Sequence, residues 1–232
     1  MTETKSDIDF QDIMMMRRKI LRIAVLVSGS GSNLQSLIDR EPDFKYRIAL
    51  VVSDNPDAHA LIRAQKAGIP TLVINRKEYE DRRSFEIDLS RGINRVKPDL
   101  VVLAGFMRVL SKYFVQDFEH RMINIHPSLL PKHKGLHTHA RALEAGEKRH
   151  GATVHYVTDE LDGGPLIAYG DVSVVPDDTP ESLARRVLAV EHDMLPQVIG
   201  AIALERINFP PEKIMLDHGV DAPFQLSIMF SL

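Results

Sequence analysis

The sequence predicts an α/β protein with a doubly wound, mostly parallel sheet and helices on both faces of that sheet. Nearly continuous apolar runs, such as Ile-Ala-Val-Leu-Val at residues 23–27, recur along the first half of the chain. Such runs are typical of strands that are buried on both faces. Segments with helical periodicity alternate with these runs, and Gly68-Ile69-Pro70 and Lys97-Pro98 mark helix ends. Strands that alternate with helices indicate a doubly wound sheet.

Five strands and four helices are expected in the first half of the chain. The strands are predicted where apolar runs meet polar or glycine-rich sequence. They cover residues 22–28, 47–53, 71–74, 100–104 and 122–126. The helices between them are predicted near residues 33–39, 58–67, 81–96 and 112–118.

The second half of the chain alternates less regularly. A loop that contains Pro, Lys and His precedes a short predicted helix, and two strand-like runs flank a Gly-Gly-Pro turn. These elements are predicted at residues 127–135 (loop), 139–145 (helix), 152–157 and 166–175 (strands). A long helix follows from Pro180 to about Ala203, with Thr179 as its N-cap and Pro180 at its first position.

We expect one domain over residues 19–232, preceded by a flexible extension over residues 1–18 that lacks sustained periodicity. The net charge of −3 argues against a nucleic-acid partner bound through a broad basic surface. The chain has no cysteine, which excludes disulfides, thiolate metal sites and a cysteine nucleophile. No apolar run reaches the roughly 18 residues that span a bilayer, so no membrane partner is expected. These features favour a cytoplasmic protein.

A glycine-rich turn joins the first predicted strand to the first helix, in the sequence Ser-Gly-Ser-Gly-Ser-Asn at residues 28–33. Such a turn directs backbone N–H groups and the positive end of a helix dipole at an anion, which is typically a phosphate. Leu34 occupies the position of the third glycine of the dinucleotide fingerprint, and the Walker lysine is absent. A monophosphate held by Gly31, Ser32 and Asn33 therefore suits the turn better than a dinucleotide does. A tight turn without a ligand is the alternative.

Three polar residues form a candidate catalytic group. Asn124 and His126 lie two apart in a predicted strand, so both side chains point to the same side of the sheet. Pro127 ends that strand just beyond the histidine. Asp162 precedes the Gly-Gly-Pro turn and is expected to fold back onto the imidazole and raise its pKa. An amide, an imidazole and a carboxylate suit the stabilisation of an oxyanion and the movement of a proton.

Seven of the ten histidines fall between His120 and His155, which raises the hypothesis of a metal site. His133, His137 and His139 are the closest in sequence. No His-Glu-x-x-His spacing or comparable ligand pattern accompanies them. We therefore expect no metal.

Glu191 shares the apolar stripe of the long C-terminal helix, since it is four residues after Val187 and three before Met194. A carboxylate on a buried face needs hydrogen-bond donors, either from the protein or from the hydroxyls of a substrate. The segment 107–110 follows a buried strand and is expected to line an apolar cleft or to pack in the core. Arg82, at a predicted helix start, is by default a solvated charge.

Six motifs resemble the phosphoribosylglycinamide formyltransferase family, whose members use 10-formyltetrahydrofolate in purine synthesis. They are Gly-Ser-Gly-Ser-Asn-Leu-Gln (29–35), Val-Val-Leu-Ala-Gly-Phe-Met-Arg-Val-Leu (101–110), Ile-Asn-Ile-His-Pro-Ser-Leu-Leu-Pro (123–131), Gly-Leu-His-Thr-His (135–139), His-Gly-Ala-Thr-Val-His (150–155) and Val-Thr-Asp-Glu-Leu-Asp-Gly-Gly-Pro (157–165). The third and sixth motifs are common to the wider formyltransferase superfamily. The first and fourth indicate the glycinamide ribonucleotide branch.

The resemblance implies roles for individual residues. It assigns catalysis to Asn124, His126 and Asp162. It assigns the acceptor's phosphate and ribose to Gly31, Ser32, Asn33 and Glu191. It assigns the formyl folate to Arg82, Met107, Arg108, Val109, Leu110, Asn124, Thr158, Asp159, Glu160, Leu161 and Asp162. Lys132-His133-Lys134 departs from relatives, which often carry an aromatic residue and a proline there.

The function implied is transfer of the formyl group of 10-formyltetrahydrofolate to the glycyl amine of 5'-phosphoribosylglycinamide. The partners are then two small molecules, and the protein is a monomer or a homodimer. Three alternatives stay open from the sequence. They are a formyltetrahydrofolate deformylase, a non-catalytic folate or nucleotide sensor, and a dinucleotide-dependent oxidoreductase in which Asp54 binds a ribose.

Overall fold

The computed structural model describes residues 20–205, which form a seven-stranded sheet covered by six helices. The strands are β1 (Leu21–Val27), β2 (Tyr46–Ser53), β3 (Thr71–Val73), β4 (Leu100–Leu103), β5 (Met122–His126), β6 (Arg149–Tyr156) and β7 (Leu166–Ser173). The helices are α1 (Ser32–Arg40), α2 (His59–Lys66), α3 (Arg82–Asn94), α4 (Lys112–Asp117), α5 (Thr138–Glu144) and α6 (Pro180–Ala203). The predicted fold class is confirmed, and the predicted element boundaries differ from these by only a few residues.

The sheet has the strand order β3-β2-β1-β4-β5-β6-β7. Strands β1 to β5 pair in parallel, whereas β6 is antiparallel to β5 and β7 is antiparallel to β6. The strand direction therefore changes beside β5. The carboxyl ends of β1, β4 and β5 meet at one edge of the sheet, which is where α/β proteins place ligands.

The sheet separates two hydrophobic clusters, which explains the continuous apolar runs in its central strands. In β1, Ile23, Val25 and Val27 pack with residues of α1, α2 and α6 on one face. Ala24 and Leu26 pack on the other face with residues of α3 and α4. All five side chains are fully buried. Both faces of β1 are therefore core, so neither face tolerates polar residues.

Helix α6 begins as predicted. The Thr179 hydroxyl accepts a hydrogen bond from the Ser182 N–H at 3.2 Å, and the Ser182 hydroxyl accepts one from the Thr179 N–H at 2.9 Å. This reciprocal capping box satisfies two backbone donors at the helix start. The helix then carries Glu191 to the start of α1, because α6 packs against α1.

The N-terminal extension predicted over residues 1–18 lies outside the described residues, as does the last part of the predicted domain, 206–232. Within residues 20–205, no helix has the length and apolar character needed to cross a membrane.

Candidate active site

Strand β5 presents Asn124 and His126 at the carboxyl edge of the sheet, as the sequence predicts. The antiparallel neighbour β6 places His155 directly opposite Asn124. The Asn124 Nδ2 and His155 Nε2 atoms are 3.1 Å apart, and His155 Nδ1 lies 2.9 Å from the Tyr156 carbonyl. That carbonyl needs a proton on Nδ1, so His155 Nε2 accepts from the Asn124 amide. The second N–H of the same amide is left for a ligand.

His155 was missed as a site residue by the sequence interpretation. A signal was present in the motif His-Gly-Ala-Thr-Val-His, where Thr153 and His155 alternate on one face of a strand. Its pairing with β5 is a contact between distant parts of the chain. Local periodicity does not specify such a pairing.

Asp162 lies beside both histidines. Its Oδ2 atom is 3.5 Å from His126 Nδ1, and its Oδ1 atom is 3.7 Å from His155 Nε2. The Gly135 N–H donates to Asp162 Oδ2 at 2.8 Å. Asp162 has a φ of 48°, in the left-handed region, so the turn before Gly163 directs its side chain back toward β5. The structure thus brings the three predicted catalytic residues together.

The pKa of His126 differs from the prediction. Burial of the imidazole lowers its pKa, and this effect outweighs the hydrogen bond to the His133 carbonyl and the charge of Asp162, which both raise it. Asp162 raises the pKa of His126 as predicted, but burial has the larger effect, so the net shift is downward and not upward. His126 is neutral near pH 7, and its Nε2–H donates to the His133 carbonyl at 3.1 Å.

Asp162 stays ionised at neutral pH. Burial alone would raise its pKa, but the Gly135 N–H, which donates to Oδ2, lowers it, and the net shift is downward. A neutral imidazole therefore lies beside a carboxylate. This arrangement favours uptake of a proton by the ring when negative charge develops nearby.

A cavity of about 390 Å³ opens in front of these residues. Leu103, Phe106 and Val115 contribute to its apolar lining, and Asn124 and His126 to its polar lining. Every residue predicted to bind the formyl folate, except Arg82, lines this cavity: Met107, Arg108, Val109, Leu110, Asn124, Thr158, Asp159, Glu160, Leu161 and Asp162. Its size and its largely apolar lining suit a small aromatic ligand.

Arg82 lies behind the cavity wall, at the start of α3. Its Nε donates to Glu86 Oε1 at 2.8 Å, and its Nη2 donates to the Val109 carbonyl at 2.5 Å. The side chain remains 47% exposed. It is thus anchored to the wall and is not a freely solvated charge.

The loop after β5 lines part of the cavity and is held by ion pairs. Lys134 Nζ lies 2.7 Å from Oε1 of Glu160, which lines the cavity. On its outer side, Lys132 and His133 both contact Glu147, at 2.9 and 3.3 Å. Residues 132–134 therefore hold the loop at two places.

The glycine turn lies at the same edge of the sheet, between β1 and α1. Two strand spacings, or about 10 Å, separate β1 from β5. Gly31 has a φ of 69°, and a Cβ atom on it would lie 2.5 Å from Ala60 Cβ. Only glycine fits there. The first N–H groups of α1 have no partner within the helix, and no side chain caps it at Gly31, so this helix start suits an anion.

Glu191 lies next to this turn. Asn33 Nδ2 donates to Glu191 Oε2 at 2.6 Å, and the Asn33 Oδ1 atom is buried without a partner among the described residues. Burial raises the pKa of Glu191 to about 7, although the bond from Asn33 lowers it. A buried carboxyl and an unpaired amide oxygen are suited to bind hydroxyls.

Two further hypotheses from the sequence are a dinucleotide ribose bound by Asp54 and a metal bound by the clustered histidines. Asp54, considered for a dinucleotide ribose, is 3% exposed and accepts a bond of 2.5 Å from Arg108 Nε. Within residues 20–205, no group of His, Cys, Asp or Glu is arranged to hold a metal ion. The clustered histidines pair with one another instead, as His139 Nδ1 and His150 Nε2 do at 3.1 Å.

Comparisons with known proteins identify the family to which this chain is similar. Residues 21–199 match the family model described as formyl transferase. The chain is 44% identical over 199 residues to phosphoribosylglycinamide formyltransferase from Escherichia coli, covering 85% of this chain and 94% of the relative. It is also 44% identical over 206 residues to the trifunctional purine biosynthetic protein adenosine-3 from Drosophila melanogaster, where the match covers 87% of this chain and 15% of the relative.

Solved structures give the same result. A phosphoribosylglycinamide formyltransferase from Coxiella burnetii superposes with a TM-score of 0.79 at 50% identity, covering 82% of this chain and 90% of that one. Glycinamide ribonucleotide transformylase 1 from Symbiobacterium toebii superposes with the same TM-score at 43% identity, covering 82% and 91%. The chain therefore belongs to the formyl transferase family.

Proposed function

We propose that this protein is a phosphoribosylglycinamide formyltransferase. It transfers the formyl group of 10-formyltetrahydrofolate, its co-substrate, to the glycyl amine of 5'-phosphoribosylglycinamide in purine biosynthesis. The observation that carries the proposal is that Asn124, His126 and Asp162 meet in a cavity near a phosphate-binding type of turn. The names of relatives that align over most of their length support the same assignment.

The two substrates enter from different parts of the sheet edge. The acceptor's phosphate binds the backbone N–H groups of Gly31, Ser32 and Asn33, and its ribose hydroxyls bind Glu191. The pterin of the donor lies in the cavity between segments 107–110 and 158–162. Arg82 meets the carboxylates of the donor's glutamyl tail. This placement directs the amine and the formyl carbon toward Asn124.

The reaction is a direct transfer. The acceptor amine attacks the formyl carbon, which forms a new C–N bond and a tetrahedral oxyanion. The free N–H of the Asn124 amide and the His126 ring donate to this oxygen. The bond from the formyl carbon to N10 then breaks, and the proton lost by the amine ends on N10. No covalent intermediate with the protein is involved.

The neutral state of His126 fits a role in moving this proton. The ring takes up the proton that the amine releases, and the ionised Asp162 beside it stabilises the resulting imidazolium. In the present structure the Nε2–H of His126 donates to the His133 carbonyl. Donation to the oxyanion therefore requires the loop after β5 to release this bond. Loop movement is thus part of the proposed cycle.

A kinetic assay tests the function. Purified protein is mixed with 10-formyltetrahydrofolate, and absorbance is followed with and without 5'-phosphoribosylglycinamide. Tetrahydrofolate should form only when the acceptor is present, together with one formylated acceptor per donor consumed. Formate release without acceptor would indicate a deformylase. Tight binding of both ligands without turnover would indicate a sensor.

The finer properties of the protein are proposals of the same kind. We propose a cytoplasmic enzyme, a monomer or a homodimer, that acts on small molecules and not on nucleic acid or membranes. Light scattering coupled to size-exclusion chromatography distinguishes the two assembly states.

A further inference from the structure

A buried acid on α3, Glu86, contacts two residues next to the cavity proposed for the formyl donor. Glu86 is 6% exposed, and both of its carboxylate oxygens accept hydrogen bonds. Oε1 accepts from Arg82 Nε at 2.8 Å and from the Ser111 N–H at 2.9 Å. Oε2 accepts from the Ser111 hydroxyl. A buried carboxylate is thus satisfied entirely by groups next to the donor cavity.

These partners hold the cavity wall. Ser111 follows directly on the wall segment 107–110 and is the N-cap of α4. Arg82, held by Glu86, donates from Nη2 to the Val109 carbonyl. Glu86 therefore fixes the end of the wall directly and its middle through Arg82. Since segment 107–110 carries four of the cavity-lining residues, its position sets the shape of the cavity.

The same contacts orient the Arg82 guanidinium. Nε and Nη2 are both engaged, whereas Nη1 has no hydrogen bond to any residue in the described part of the chain. Two fixed nitrogens define the plane of the group, so the direction of Nη1 is fixed as well, on a side chain that is 47% exposed. An anion that arrives there meets a donor whose orientation costs no further ordering.

We infer that Glu86 is a positioning residue for the formyl donor. It holds the cavity wall for the donor's ring and the Arg82 guanidinium for the donor's carboxylate tail. The inference rests on the proposed function. An acid that served only to stabilise the helix would affect both substrates alike. Glu86 contacts neither the glycine turn nor Glu191, so its loss should affect the donor alone.

Steady-state kinetics of Glu86→Gln test the inference. The amide keeps the shape of the side chain but cannot accept from all three donors. We expect the KM for 10-formyltetrahydrofolate to rise about tenfold, as loss of a charge-assisted hydrogen bond does. The kcat and the KM for the acceptor should stay within about twofold of wild type. Asp88→Asn is the matched control, since Asp88 lies on the same helix and bonds Tyr79 and Arg91.

A second readout concerns the tail of the donor. Wild type should bind a donor with a glutamyl tail more tightly than the pteroyl analogue without one, and Glu86→Gln should lose most of this preference. Ser111→Ala removes the hydroxyl contact to Glu86 together with the N-cap contact to the Phe114 N–H, and it should raise the donor KM about threefold. It decides the matter if Glu86→Gln fails to fold.

Three results would overturn the inference. They are an unchanged donor KM in both variants, equal rises in the KM of both substrates, or an unchanged preference for the glutamyl tail. A wild-type enzyme without any turnover would instead refute the proposed function.

Discussion

Asp162 shows how the role of one residue depends on the turn that holds it. Taken alone, an aspartate before Gly-Gly-Pro is most simply a turn former. In the structure it has this role, with a left-handed φ, and also lies within 4 Å of two histidines. The turn is what directs the carboxylate toward His126.

Neutralising Asp162 tests this arrangement. Asp162→Asn keeps the hydrogen bond from Gly135 but removes the charge that stabilises the His126 imidazolium. We expect kcat to fall by about 10²–10³, with a much smaller change in either KM, and a similar fall for His126→Ala. Steady-state kinetics with both substrates measure this. Asp177→Asn, an exposed acid after β7, is the control and should match wild type. Near-normal turnover in either active-site variant would remove these residues from the mechanism.

Glu191 couples folding stability to pH. Its pKa rises from the usual 4.5 to about 7 on folding because the carboxyl is buried. Between these values the folded protein binds more protons than the unfolded chain, so the free energy of unfolding falls as pH rises through this window. The full difference corresponds to about 3 kcal/mol.

Glu191→Gln should remove this dependence. We expect its free energy of unfolding, relative to wild type, to increase by about 2–3 kcal/mol between pH 4.5 and pH 8. Urea denaturation of both proteins across that range measures the difference. Parallel stability curves for the two proteins would show that Glu191 does not titrate abnormally.

At the scale of elements, the loop after β5 carries two ion pairs that differ in their position relative to the cavity. Its Lys134–Glu160 pair includes a residue that lines the cavity, whereas neither residue of its Lys132–Glu147 pair does. The two lysines are two residues apart and both form exposed or half-exposed ion pairs. Replacing each lysine in turn therefore distinguishes an effect on the cavity from an effect of losing one positive charge.

Lys134→Ala should loosen the loop that lines part of the cavity. Because a partly exposed ion pair contributes less than about 1 kcal/mol, we expect the donor KM to rise about two- to fivefold. The difference from wild type should shrink in 0.5 M salt, because the screening length falls to about 4 Å and the attraction within the pair weakens. Lys132→Ala should leave the donor KM unchanged. Equal effects of the two variants would mean that overall charge, and not the cavity, is responsible.

The elements themselves were largely predictable from sequence. Strands buried on both faces, such as β1, leave an apolar run that is visible locally, and the capped start of α6 leaves Thr179 and Pro180. Contacts between distant segments leave no such local trace. The pairing of β6 with β5 brings in His155, and the burial of His126 reverses its expected pKa shift. The family and fold predictions are confirmed, whereas the substrate-binding roles of individual residues stay predictions.

At the scale of the whole molecule, the sheet order predicts a gradient of stability. Strands β1 and β4 lie at the centre and are almost completely buried, whereas β3 and β7 form the two edges. Central strands open only when most of the fold opens, and edge strands open locally.

Native-state hydrogen exchange should report this order. Amides of β1 and β4 should exchange with a free energy close to that of global unfolding, and amides of β3 and β7 with a smaller one. Exchange measured by mass spectrometry at peptide resolution is sufficient. The measurement uses wild-type protein without substrates. Protection of β7 equal to that of β1 would contradict the predicted order.

The two groups of residues proposed for the site come from separate parts of the chain. Asn124, His126, His155 and Asp162 all come from residues 122–162, whereas the glycine turn and Glu191 belong to segments far away in the chain. If the proposed roles hold, formyl transfer and choice of nucleophile are encoded by separate stretches of sequence. Exchanging the stretch that contains the glycine turn, while keeping residues 122–162, should then redirect the formyl group to a different acceptor. A chimera with a foreign β1–α1 unit would reveal this as a new formylated product.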